Sequence, residues 1–185
     1  MKSGVRALGV AESYRADTST LAGAVVRADR VVDGFVFGQC TVGASDATAS
    51  VIEMIERVDR PDVRYVMLAG IAPAWYNVLD LWRINEAVER PVLSVSFEDS
   101  DGLESALRAA FDGEALAERL ATYRDQPERR AVELDGEAVY VRAVGCSDGE
   151  AERVIRAFTP EGGRPEPLRV AREAARAVET VRRES

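Results

Sequence analysis

Histidine is absent from this sequence. That removes Ser-His-Asp and Cys-His catalysis, the His-x-x-x-His zinc sites and any imidazole proton shuttle. Lysine is nearly absent too: Lys2 is the only one among 24 basic residues, so the positive charge of the chain is carried by arginine. The two cysteines, Cys40 and Cys146, are too far apart in sequence for metal-ligand or redox spacing, and read as buried reduced thiols. No apolar run approaches the ~20 residues that span a bilayer, and the chain opens without a charged-then-apolar signal pattern, so a cytoplasmic protein with no membrane contact is expected. Neither Gly-x-Gly-x-x-Gly nor Gly-x-x-x-x-Gly-Lys-Ser/Thr occurs. The chemistry left is carboxylate, arginine, tyrosine, or a metal held by oxygen.

The charge that is present is mostly negative. A net charge of −8 argues against a broad basic face for nucleic acid or an anionic membrane, so any nucleic-acid site must be local. An acidic, lysine-poor surface suits a salt-rich cytoplasm or a GC-rich genome, and composition does not separate the two. At 185 residues with 46% hydrophobic content the chain fits one globular domain, expected over 1–185.

Hydropathy patterning divides the chain into strands and helices in a telling order. Arg6 to Val10 is a short apolar run, and two further strands, Leu21 to Ala28 and Val31 to Val42, are joined by a turn at Asp29-Arg30. Residues 46 to 58 place Val51, Ile55 and Val58 on one helical face behind a Ser45-Asp46 start, and Arg64 to Ile71 is a continuous apolar strand. A helix over Asn77 to Val88 and a strand from Pro91 complete a second strand-helix-strand unit, which implies parallel pairing. Helices over 101–111 and 114–123, a hairpin turning at Asp135-Gly136, and helices over 148–158 and 167–183 follow. An N-terminal antiparallel three-strand meander followed by alternating helices and strands predicts an α/β, ribonuclease H-like mixed sheet with flanking helices. The first strand should lie in the sheet interior, with the strands at 64–71 and 92–96 parallel to it.

Near the end, Gly162-Gly163-Arg164-Pro165-Glu166-Pro167-Leu168-Arg169-Val170-Ala171-Arg172 runs from a turn into the last helix. Pro165 extends Arg164 and Pro167 suits a first helical turn, so Arg164, Glu166 and Arg169 sit at a helix N-terminus that favours an anion such as phosphate. The plainer reading is a rigid helix entry with solvated arginines.

This segment resembles the C-terminal signature of the archaeal endonuclease dU family, which is similar to endonuclease V. The position of a family histidine is held here by Arg172. The resemblance implies a DNA endonuclease of the ribonuclease H-like superfamily, a DNA-repair hydrolase that cuts near deaminated bases such as deoxyuridine, with Mg²⁺ or Mn²⁺ held by carboxylates. Four other stretches carry it. The family's Gly-Ile-Asp-Asp reads Gly9-Val10-Ala11-Glu12, and its Leu-Asp-Gly-Ile reads Leu68-Ala69-Gly70-Ile71, so both leading aspartates are alanine. Thr41-Val42-Gly43-Ala44-Ser45-Asp46-Ala47-Thr48 keeps one of two family aspartates, and Tyr76-Asn77-Val78-Leu79-Asp80-Leu81 resembles an aromatic-Asn run. On this alignment Ala11 and Ala69 should be neighbours at strand ends.

Two readings remain open from the sequence. In one, a relocated carboxylate set of Glu12, Asp46 and Asp80 does the chemistry, with Glu12 and Asp46 as metal ligands and Asp80 or Glu166 in support. In the other, a catalytically silent relative binds nucleic acid through Trp75, Tyr76, Asn77, Arg164, Glu166, Arg169 and Arg172 by stacking and phosphate contact. Each residue also has a plain structural role open to it: Glu12 faces away from the metal side unless the strand has ended or bulged, Asp46 is a helix N-cap, Trp75 and Tyr76 pack at a helix start, Asn77 is a cap and Asp80 a solvated first-turn carboxylate. A protein-interaction module with no nucleic-acid role is the third alternative.

Overall fold

The computed structural model describes residues 1–134, 136–160 and 163–184. Asp135 of the expected hairpin turn and Gly162 at the head of the C-terminal motif lie outside the described residues. The chain runs β1 (Arg6–Arg15), β2 (Thr18–Arg27), β3 (Val32–Thr41), α1 (Ala47–Val58), β4 (Val63–Ala69), α2 (Pro73–Tyr76), α3 (Leu81–Val88) and β5 (Val92–Ser96). It continues through α4 (Glu104–Ala110), α5 (Gly113–Arg124), β6 (Arg130–Leu134), β7 (Glu137–Val144), α6 (Asp148–Phe158) and α7 (Glu166–Glu184).

All seven strands form one mixed sheet in the order β3-β2-β1-β4-β5-β7-β6. The first three make an antiparallel meander, β4 pairs parallel with β1, and β5 parallel with β4. The interior position of β1 and the two parallel crossovers are as the patterning predicts. β1 nevertheless runs five residues past Val10. Its polar continuation pairs with β2 in unbroken register, Glu12 opposite Leu21 and Arg15 opposite Thr18, because the hairpin turns only at Ala16-Asp17.

Side chains alternate across β1 and sort the core into two faces. Leu8 and Val10 pack with α1 and α3 residues such as Val51, Met54 and Ile84. On the other face, Ala7 joins Val154, Ile155 and Phe158 of α6. Ala11 packs with Ala24, Val26 and Ala171 of α7.

α7 lies very close to the sheet because small residues meet small residues. A Cβ at Gly9 would come within 2.2 Å of the Pro167 backbone, so only glycine permits the start of α7 to rest on β1. Ala171 and Ala175, four apart on the buried stripe of the helix, continue that approach. The motif that opens the last helix is thereby placed over the middle of β1. Among the described residues no helix is long and apolar enough to cross a membrane.

Candidate nucleic-acid interface

The carboxyl ends of β4 and β5, with Glu12 of β1, open into a cleft of about 470 Å³, bordered by β7 and by the start of α7. Extending the Val10↔Leu68 register by one residue puts Ala11 beside Ala69, as the alignment with the family predicts. The two belong to one small apolar cluster with Ala171, and Ala11 is only 4% exposed. A carboxylate at residue 11 would be buried under α7 without a counter-charge, at a cost of several kcal/mol per ion.

The cleft wall is rich in arginine for so acidic a chain. Arg129, Arg142, Arg164 and Arg172 line it, against the carboxylates of Glu12 and Glu98. Two of the four are committed to the fold. Arg129 donates to the Ser100 carbonyl at 2.5 Å and stacks 4.5 Å over the Tyr140 ring. Arg142 donates to the Pro127 carbonyl and lies over Tyr123, and burial pulls its guanidinium below its usual pKa. The other two are available. Arg164 is exposed and rests 4.1 Å over the Phe97 ring, and Arg172 is exposed on α7. Among the described residues neither makes a hydrogen bond or ion pair, so both present donors to the cleft.

The carboxylates proposed as a relocated metal set do not come together. Among the described residues no three of His, Cys, Asp and Glu form a metal-holding group. Glu12 borders the cleft, but β1 neither ends nor bulges there, so its side chain lies on the face opposite Ala11 and accepts from the Ser19 hydroxyl. Asp46 starts α1 yet does not cap it: its carboxylate turns back to accept from the Thr41 amide at 3.1 Å, the Thr41 hydroxyl at 2.8 Å and Asn77 Nδ2 at 2.7 Å. Burial alone would raise the Asp46 carboxyl, but these bonds from Asn77 and Thr41 outweigh it and hold the group below its ordinary value. Asp80 is the N-cap of α3, accepting from the Arg83 amide at 3.0 Å, so the helix expected from Asn77 begins at Leu81.

Asn77 is fully buried and does the capping that Asp46 leaves undone. Its Oδ1 accepts from the Ala47 amide at 2.9 Å, at the start of α1, and its Nδ2 donates to the Thr41 carbonyl at 3.0 Å as well as to Asp46. A side chain expected at a binding surface instead joins β3, α1 and the α2 turn. Glu166 and Arg169 also pair with each other, at 2.5 and 2.8 Å, on the first turn of α7. They are not among the residues that line the cleft. Cys40 is buried and Cys146 only partly so; burial lifts the Cys40 thiol to about 12, with Asp46 and Glu12 adding, and Cys146 to about 11. Both stay thiols at neutral pH.

The turn at α2 escaped sequence reasoning altogether. Ala74, Trp75 and Tyr76 all have left-handed φ, at 49°, 56° and 63°, without a glycine among them. Each such residue costs about 1–2 kcal/mol. The conformation survives because tertiary bonds hold it, Gly43 donating to the Ala74 carbonyl at 2.8 Å and the buried Arg119 guanidinium to the Tyr76 carbonyl at 3.2 Å, beside a local bond from the Asn77 amide to the Pro73 carbonyl at 3.0 Å. Arg119 reaches on to the carbonyls of Gly43, Ala44 and Ala115, and lies 4.0 Å over the Phe111 ring. The only sequence signal was an unusual one, an arginine on a weakly amphipathic helix.

A seven-stranded mixed sheet that starts with an antiparallel meander, carries helices on both faces and opens a cleft at the ends of β4 and β5 beside β1 defines a ribonuclease H-like fold. The endonuclease dU family model matches residues 3–179, and the chain belongs to that family. A UPF0215 protein of Pyrobaculum calidifontis is 32% identical over 177 residues, spanning 92% of this chain and 95% of the relative. A crystal structure of a protein of unknown function from Archaeoglobus fulgidus superposes with a TM-score of 0.83 at 26% identity, covering 94% of this chain and 97% of that one. Endonuclease V of Ciona intestinalis, solved with a 24mer DNA containing an inosine followed by a ribo-adenosine, shares the fold with a TM-score of 0.62 at 12% identity, over 95% and 85% of the two chains.

Proposed function

We propose that this chain is a DNA-binding member of the endonuclease dU family whose cleft holds the strand by phosphate contact and has given up metal-dependent cleavage. The observation that carries the reading is the donor set at the sheet edge. Where the resemblance places metal ligands, this chain has the methyls of Ala11 and Ala69, and the position of the family histidine carries the cation of Arg172; Ala69 and Arg172 line the cleft. A divalent cation needs oxygen ligands and is repelled by a guanidinium, so these residues do not fit Mg²⁺ or Mn²⁺. A phosphate suits them, because arginine supplies planar paired donors and needs no metal to do so. Arg164 and Arg172 would contact the backbone, while Arg129 and Arg142 supply field from the far wall. The acidic remainder of the surface repels DNA and confines binding to this one groove.

The test pairs binding with cleavage. Labelled oligonucleotides, with and without uracil, are titrated with the protein across a range of salt, then incubated with Mg²⁺ or Mn²⁺. Binding that weakens steeply with salt, without strand scission, is expected. Uracil-directed nicking that vanishes in Glu12→Gln would overturn the non-cleaving reading and restore a hydrolase built on that carboxylate.

A further inference from the structure

The left-handed turn presents an aromatic ring outward instead of packing it. Ala74 is its buried member, whereas Trp75 is 51% exposed. A strained segment that served packing would bury its largest apolar side chain; this one holds that side chain in solvent. The ring is backed on its inner side by Phe111 at 5.5 Å and Tyr76 at 5.8 Å. Gly43 leaves room for it, since a Cβ there would stand 3.1 Å from the indole. Arg119, only 6% exposed, makes no ion pair among the described residues: its donors all go to carbonyls of the α2 turn, the β3–α1 loop and α5 itself. Its charge clamps three segments and leaves the indole rigidly placed.

Tyr76, the ring neighbour of Trp75, is itself part of the cleft wall. An aromatic platform and an arginine-lined groove are therefore continuous, which is the pairing that single-stranded nucleic acid requires: stacking surface for the base, cations for the backbone. We propose that Trp75 is a preformed stacking site for an unpaired nucleobase, with Arg119 as the positioning residue that fixes the turn. The inference rests on the cleft binding DNA and adds what it reads there. A base inside a duplex has both faces covered by its neighbours, so only a strand end, a single strand or an extruded base can offer a face to the indole.

Trp75 and Trp82 are the two tryptophans in the chain, and Trp82 lies apart, donating to the Asp125 carbonyl. A Trp82→Phe variant therefore makes the emission of Trp75 the only indole signal. This protein is titrated with a labelled single-stranded oligonucleotide, the same strand with abasic sites, and a blunt duplex, following both label anisotropy and indole emission. Expected are quenching by the single strand, little by the abasic strand or the duplex, and an affinity loss of roughly tenfold for the single strand in Trp75→Ala. Arg119→Met should lose most of the quenching while keeping the salt dependence of binding; if it does not fold, Trp75→Ala decides. Anisotropy that rises while emission and the Trp75→Ala affinity stay unchanged would sink the platform and leave the cleft reading intact. Quenching by the duplex equal to that by the single strand would also sink it. No binding of any strand would remove the cleft reading itself.

Discussion

Two regions that the family motifs mark out have opposite fates in the fold. At the ends of β1 and β4, where the resemblance places carboxylates, the chain has Ala11 and Ala69 in an apolar cluster under α7. At the junction of β3, α1 and the α2 turn, Asp46, Asn77 and Arg119 form a dense polar knot in which Asn77 and Arg119 donate to main-chain carbonyls and Asn77 also to Asp46. The first region keeps the fold while packing apolar side chains where the resemblance places carboxylates. The second has kept its polar residues because the fold depends on them. Retention of an aspartate in a family motif is thus no measure of retained chemistry.

Restoring charge to the emptied region should have the largest effect. Ala11→Asp with Ala69→Asp places two like charges side by side, one of them buried under α7, and should lower unfolding free energy by on the order of 4 kcal/mol in urea melts without metal. Adding Mg²⁺ should recover part of that loss as a raised Tm, more so with Arg172→His; a double variant as stable as the parent would show that the cluster is wetter than its packing implies. Breaking the knot comes next. Asn77→Ala strands the Ala47 amide and removes one donor each from the Thr41 carbonyl and Asp46, which keep their bonds from Ala44 and Thr41, and should cost about 2 kcal/mol by denaturant titration.

Proton titration sharpens the same contrast. The Asp46 carboxyl is held below its ordinary value in the folded protein, so its stabilising contribution is complete above the unfolded pKa and is lost as pH falls through the lower folded one. Asp62, hydrogen-bonded to Arg60, is lowered to about 2 and adds in the same direction. Stability should therefore fall between pH 4 and 2, and Asp46→Asn should flatten the start of that fall. In the cleft, Arg172→Ala should weaken DNA binding at every sequence and reduce the slope of log K against log salt by about 0.7 for a single strand. An unchanged slope would place Arg172 outside the binding path. The smallest effect belongs to the most conspicuous pair in the sequence motif: Arg169→Ala should cost under about 1 kcal/mol, because that ion pair is solvent-facing on the arginine side.

Much of the architecture was legible. Period-two runs and two crossovers sufficed for the sheet order around β1, and the motif positions of Ala11 and Ala69 fell beside each other as neighbours on adjacent strands. What was illegible shares one cause. The arm of β1 from Glu12 to Arg15 is polar and pairs only because β2 runs back along it. The start of α3 was set four residues too early, since Asn77 looks like a cap and is one, but for α1, thirty residues before it.

By itself the sequence determined the absence of imidazole chemistry and the alternation that builds the sheet, because these depend on residue type and local period. Only the tertiary structure decided which carboxylates are engaged, which arginines are free and which way Trp75 points. Those outcomes turn on bonds between segments far apart in the chain, above all the carbonyls that Arg119 gathers, and no local preference for a left-handed turn at Ala74-Trp75-Tyr76 would predict them.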